Sequence, residues 1–112
     1  MPYDSADRAT REAGKEVFGP VVCVIPFKDE SDAVRIANGL EYGLAAGIWS
    51  RDIGKVHRVA GKLEAGRIVV NEYGGGFVQT PTGGFKESGY GCEQGIEALA
   101  DYSQLKSVII RL

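Results

Sequence analysis

The stretch "LAAGIWSRDIGKVHRVAGKLEAGRIVVN", Leu44 to Asn71, decides how this chain folds. "LAAGIWS", Leu44 to Ser50, is a short apolar run that reads as a strand. "DIGKVHRVAGKLEAG" then changes the period. Ile53, Val56, His57, Ala60 and Leu63 fall on one helical face, Asp52 can cap the start, and Gly66 suits the end. "RIVVN", Arg67 to Asn71, returns to a β-branched strand. A strand, an amphipathic helix and a second strand with short joints predict a right-handed parallel crossover.

The same alternation extends outward on both sides. "VVCVIPF", Val21 to Phe27, is apolar and rich in β-branched residues, and predicts a strand buried on both faces. "DESDAVRIANGL" places Ala33, Ile36, Ala37 and Leu40 at helical spacing, with Asp29 or Ser31 to cap and Gly39 to end it. Beyond Asn71 comes a long glycine-rich segment. "CEQGIEALADYS" then predicts a short helix with Ile96, Leu99 and Ala100 inward, and "LKSVIIRL" a closing strand. The class is therefore α/β, with mainly parallel strands and crossover helices.

Composition is that of an ordinary globular chain. The 112 residues are 44% apolar and 25% charged, enough for one domain at most or a piece of a larger one. A net charge of −2, without long runs of one sign, argues against nucleic acid or an anionic membrane as partner. No apolar run reaches the roughly 18 residues that span a bilayer, and the polar start "MPYDSADRATREAGKE" lacks the apolar centre of a secretory signal. Cys23 and Cys92 stand far apart, and His57 is the single histidine, so no metal site is expected. The unpaired cysteines suggest a reducing cytoplasm.

Half of the 16 glycines lie in "YGGGFVQTPTGGFKESGYGCEQG", Tyr73 to Gly95, which invites a phosphate-loop reading. The spacing rejects it. In "GYGCEQG" the third glycine of a dinucleotide fingerprint should fall at Gln94, and Gly95 comes one residue late. In "GGFKESG" the P-loop's contiguous Gly-Lys-Ser is broken, because Glu87 separates Lys86 from Ser88. The segment instead reads as a loop that needs positive φ angles and close backbone approach. Cys92 falls at the expected start of a helix, where backbone N–H groups favour a thiolate. It has no evident base partner, so a structural or partly exposed cysteine is the favoured reading. Cys23, inside the expected buried strand, reads as an inert filler. His57 reads as a helix-face residue with a satisfied hydrogen bond.

Five segments in order resemble the NAD(P)-dependent aldehyde dehydrogenases. "KEVFGPVV", Lys15 to Val22, is similar to that family's E-x-F-G-P motif. "YGLAAGIWSRD", Tyr42 to Asp52, and "LEAGRIVVN", Leu63 to Asn71, resemble its next two conserved segments. "PTGGFKESGYG", Pro81 to Gly91, resembles P-F-G-G-x-K-x-S-G-x-G. "YSQLKSVII", Tyr102 to Ile110, resembles its final strand. The resemblance runs from about Lys15 to the last residue. It implies an unmatched arm at 1–14, part of the catalytic domain at 15–101 and the C-terminal oligomerisation strand at 102–112. The chain would then be about the last quarter of such an enzyme.

The resemblance also implies roles. Glu16 would accept hydrogen bonds from the hydroxyls of the nicotinamide ribose of NAD or NADP, as a carboxylate can from a diol. Phe18 would pack beside the nicotinamide. Gly76, Phe77 and Thr82 would line the aldehyde tunnel. Leu105, Lys106, Ser107, Val108, Ile109 and Ile110 would form the strand that joins a neighbouring subunit. No catalytic residue is implied, because the G-Q-x-C, E-L-G-G and W-N-F segments that carry nucleophile, base and oxyanion asparagine do not occur in this sequence. Relatives often carry aromatics at the positions of Gly76 and Thr82, so the tunnel is expected to be wider or more polar unless Phe77 compensates. Many also carry arginine at the position of Cys92 and an acid at that of Gln104. Loss of both charges together suggests that these two positions lie close in space.

Two functions remain open. In one, the chain is a piece of an enzyme that oxidises an aldehyde to a carboxylic acid through a cysteine thiohemiacetal, inactive alone and binding the cofactor weakly or not at all. In the other, it is a non-catalytic module that self-associates or pairs with a longer subunit. Met1 and the unmatched first residues favour a real start site, a truncated gene or an engineered one. In either case exposed strand edges and apolar faces predict a homo-oligomer.

Overall fold

A computed structural model describes residues 18–20 and 22–112. Helix α1 runs Glu30–Asn38. The Asp29 side chain caps it by accepting from the Asp32 N–H at 2.8 Å, and Gly39 closes it by donating to the Ile36 carbonyl. The crossover unit expected between Leu44 and Asn71 is present. Strand β2, Ala45–Ile48, pairs in parallel with β3, Arg67–Val70, in the register Ala45 to Arg67 through Ile48 to Val70. Between them helix α2, Ile53–Ala60, starts at the Asp52 cap, whose side chain accepts from the Lys55 N–H at 3.0 Å.

This helix stops earlier than expected, at Gly61 rather than Gly66. The Gly61 N–H donates to the His57 carbonyl, and those of Lys62 and Leu63 both turn back to Val59. Those bonds satisfy the last carbonyls and release Lys62 to Gly66 as a connector.

Strand β1, Tyr42–Gly43, pairs antiparallel with β5, Phe85–Lys86. Strand β4, Thr82–Gly83, pairs antiparallel with β6, Cys92–Glu93. Among the described residues the strands thus form three separate two-stranded pieces, one parallel and two antiparallel, whereas mainly parallel strands were expected. Gly43 is buried where β1 meets β5, and a Cβ there would strike the Glu64 carbonyl and lie 3.1 Å from the Phe85 Cβ. Only glycine lets the backbones approach this closely.

Three further expectations are corrected. Val21 lies outside the described residues, and Val22 to Phe27 form no strand; Val22 and Val24 are more than 80% exposed and Cys23 is exposed too. A strand covered on both faces needs sheet neighbours and flanking helices, and no described residue supplies them. Helix α3 is only Ala98–Asp101, so Cys92 sits in strand β6 and not at a helix start, and Ile96 and Leu99 are exposed rather than inward. Leu105 to Ile110 form no ladder with any described residue, and their side chains are exposed.

Val56 of α2 is the one large apolar side chain buried among the described residues. The other positions of its predicted face are half-covered or open, and Ile53 is 66% exposed. The cause is geometric. A two-stranded piece has too little surface to sandwich a helix face, and three or more strands are normally needed.

Candidate functional site: the glycine-rich wall

The wall starts where β3 ends. Asn71 takes a left-handed conformation, φ 54°, which turns the chain out of the strand. Its side chain then continues the ladder. Oδ1 accepts from the Ser50 N–H and Nδ2 donates to the Ser50 carbonyl, both at 2.9 Å. The amide copies a peptide group and locks the carboxyl ends of β2 and β3 together. That edge is where open α/β sheets place their ligands.

The loop beyond it is held at defined points. The Thr80 N–H and hydroxyl both donate to the Phe77 carbonyl, at 2.9 and 2.7 Å. The Gly95 N–H donates to the Val78 carbonyl at 2.9 Å, and the Thr82 hydroxyl reaches Gln94 Oε1 at 3.2 Å. Gly74, Gly89, Gly91 and Gly95 all have φ between 64° and 111°, as the sequence reading expected of this stretch. The loop is folded back on itself and on β1; it is no phosphate cradle.

Lys86 and Ser88 have structural employment. Lys86 Nζ donates to the carbonyls of Asn38 and Leu40, at 2.7 and 3.1 Å, and pairs with Glu64 at 2.7 Å. A cation at the carbonyl end of α1 meets the negative end of the helix dipole. Asn38 extends the same knot, donating to the Lys62 carbonyl and accepting from the Glu64 N–H. Ser88 Oγ accepts from the Gly43 N–H at 2.9 Å. The lysine and serine that looked like a broken P-loop are therefore staples between the loop, β1 and α1.

The predicted site residues separate into groups. Glu16 lies outside the described residues. Phe18 is 92% exposed. Phe77 is 75% exposed and Thr82 is half-buried against Gln94. Gly76 is the informative one. A side chain there would run into the Arg67 guanidinium, whose Cζ lies 2.9 Å from an ideal Cβ position. Arg67 was not singled out by the sequence reading; its only signal was a charge opening an apolar strand. The Cys92 N–H donates to Asp101 Oδ2 at 3.0 Å, and its thiol is exposed. His57 is an exposed residue of α2, away from Cys92 in the element order.

Elsewhere charge serves the scaffold. Arg58 of α2 donates in a fork to Glu30 of α1, at 3.3 and 3.0 Å. This bond holds the Glu30 carboxyl below its usual range and raises Arg58. Asp52 is lowered by the Lys55 N–H that it caps, and Asp32 by Arg35. No helix among the described residues is long and apolar enough to cross a membrane.

A parallel crossover whose carboxyl edge carries a long, stapled loop is an α/β arrangement. The aldehyde dehydrogenase family matches residues 3–108, and the chain belongs to it. It is 47% identical over 100 residues to a betaine aldehyde dehydrogenase of Brucella anthropi, covering 89% of this chain and 20% of that protein. It is 45% identical over 98 residues to 4-trimethylaminobutyraldehyde dehydrogenase A of Danio rerio, covering 88% and 19%. Among solved structures it resembles a betaine aldehyde dehydrogenase double mutant of Staphylococcus aureus in complex with NAD+, with a TM-score of 0.76 and 49% identity over 79% of this chain and 18% of that one. It also resembles an indole-3-acetaldehyde dehydrogenase mutant of P. syringae in complex with NAD+ and IAA, with a TM-score of 0.81 and 44% identity over 88% and 20%. The chain thus spans about one fifth of the length of the relatives it matches, and the family is one of aldehyde-oxidising oxidoreductases.

Proposed function

We propose that this chain is the C-terminal segment of an NAD(P)-dependent aldehyde dehydrogenase and acts as part of that enzyme, supplying one wall of its substrate tunnel and its assembly strand. One observation carries the reading: the large apolar side chains of 22–112 that a folded domain would cover are exposed in a chain whose local elements are well capped and stapled. Such a surface fits a piece whose core is completed by other parts of a longer protein. Glu16 and Phe18 would meet the nicotinamide ribose and ring. The cofactor, when bound by the whole enzyme, supplies the hydride acceptor. This segment would only orient it, and alone would bind it weakly, since a ribose contact cannot replace the phosphate and adenine sites. The tunnel side would be formed by Gly76, Phe77 and Thr82, and Leu105 to Ile110 would add to a neighbouring subunit's sheet. Cys92 and Gln104 would lie near that junction.

The family's G-Q-x-C segment does not occur in this sequence, and among the described residues the Cys92 N–H donates to Asp101 while His57, the single histidine, stands on α2 and Cys92 in β6. The 112-residue chain is therefore expected to show no aldehyde-dependent reduction of NAD+ or NADP+. Reduction that follows the chain through purification and disappears in Cys92→Ala would overturn this reading.

A further inference from the structure

Among the described residues, three that are not glycine take a left-handed backbone: Asn71 at φ 54°, Lys86 at φ 54° and Gln94 at φ 63°. That conformation is disfavoured for a residue with a Cβ and persists where its surroundings over-determine it. Each of the three is held through its side chain. Asn71 bonds Ser50 twice, and Gln94 accepts from the Thr82 hydroxyl. Lys86 holds the most partners: the carbonyls of Asn38 and Leu40 and the carboxylate of Glu64. We propose that Lys86 is a positioning residue for the aldehyde, fixing the part of the loop that presents Thr82, resting on the reading of the loop at Thr82 as a wall of the tunnel.

Both sides of this grip belong to the segment itself. The ammonium stands at the negative end of the α1 dipole, 2.7 and 3.1 Å from the two carbonyls and 2.7 Å from Glu64 Oε2. Hydrogen bonds from a charged donor are the strong ones. Neighbouring bonds dock the same stretch: the Glu87 N–H donates to the Glu41 carbonyl at 3.0 Å, and Ser88 Oγ accepts from the Gly43 N–H at 2.9 Å.

Four positions separate Lys86 from Thr82, and the chain between them is packed too closely to absorb a shift. A Cβ at Gly66 would strike the Gly83 carbonyl, and one at Gly84 would lie 2.7 Å from the Ser88 Cβ. A displacement at Lys86 therefore passes along to Thr82, since close-packed groups transmit strain. Thr82 thus stands between two anchors, Lys86 on one side and Gln94 on the other.

The test uses the full-length dehydrogenase that carries this segment, with betaine aldehyde, propanal, octanal and benzaldehyde as substrates. For those that the parent enzyme oxidises, Lys86→Met should raise the aldehyde KM by about tenfold and leave the cofactor KM within about twofold. A residue that only supports the fold would lower the yield of active enzyme or move both constants together. Lys86→Gly separates grip from backbone: glycine takes the left-handed conformation freely but cannot hold α1, and should raise the aldehyde KM as methionine does. Lys86→Arg, which keeps a donor cation, should restore part of the affinity. If Lys86→Met does not fold, Glu64→Gln carries the test, because it removes the ion pair, keeps both carbonyl bonds and should give a smaller rise in the same KM. An aldehyde KM that stays unchanged, or that moves equally with the cofactor KM, would overturn the assignment while leaving the dehydrogenase reading intact. A parent enzyme that oxidises none of the four aldehydes would defeat that reading, and this assignment with it.

Discussion

At the scale of single residues, the segment is built from side chains that impersonate backbone. Asn71 is the clearest case. Its amide makes the two bonds with Ser50 that another strand residue would have made, and its φ of 54° turns the chain into the loop. In the full-length enzyme, Asn71→Gly keeps the conformation and removes both bonds, whereas Asn71→Ala also forces a Cβ into the left-handed region at about 1 kcal/mol or more. Protection of the Ser50 amide from hydrogen exchange should fall about tenfold in Asn71→Gly and further in Asn71→Ala. Unchanged protection in both would show that the side-chain ladder is not what holds this edge. Lys86 follows the same logic: its ammonium satisfies carbonyls at the end of α1, so a motif lysine that looks chemical is a staple. The spacing of the sequence excluded the phosphate-loop roles, but could not say what Lys86 and Ser88 bind, because the backbone groups they hold lie more than 40 residues away and Glu64, the acid paired with Lys86, lies beyond any local spacing.

At the scale of elements, α1 and α2 are legible because their signals are local. The Asp29 and Asp52 caps sit where capping chemistry places them, each accepting from an N–H three residues on. The two helices are joined by Glu30 and Arg58, whose sequence separation of 28 gives no hint of the contact. The folded-state pKa of Glu30 is depressed, chiefly by the hydrogen bond from Arg58. Its contribution is therefore fully present above the ordinary glutamate value of about 4.3, and is lost as pH falls through the depressed value. A carboxyl titration followed by NMR should place Glu30 below the ordinary glutamate range, and Arg58→Met should bring it back towards that range. If Arg58→Met leaves the Glu30 titration where it was, the fork is not what perturbs it. Helix α3 shows the opposite case. "CEQGIEALADYS" carries a helical period, yet Cys92 and Glu93 pair with Thr82 and Gly83, and the helix keeps only Ala98–Asp101. Two positive φ angles, at Gln94 and Gly95, break the turn that periodicity alone suggested.

At the scale of the whole molecule, the apolar surface dominates. Trp49 is 63% exposed and Ile109 90%, and Leu105 to Ile110 have no strand partner among the described residues. Unpaired β-branched segments with bare faces seek partners. The isolated chain is therefore expected to form dimers or larger assemblies at micromolar concentration. Light scattering that finds a monomer would count against this, and deletion of 105–112 should weaken assembly if that segment is the strand that pairs.

The sequence by itself determined the local grammar: the strand–helix–strand unit of β2, α2 and β3, the two aspartate caps, the positive-φ glycines and the family pattern. These rest on interactions within a few residues, which periodicity and capping residues report directly. Tertiary structure alone decided which apolar runs pair. "VVCVIPF" and "LKSVIIRL" have the composition of strands, but residues 22–27 and 105–112 form none with the described residues, because a strand is completed by neighbours that its own residues do not encode. It also decided that Arg67 lies against Gly76, a contact between a strand's first residue and a loop beyond its last. No spacing rule reports that contact, since the turn at Asn71 sets the angle at which the loop returns.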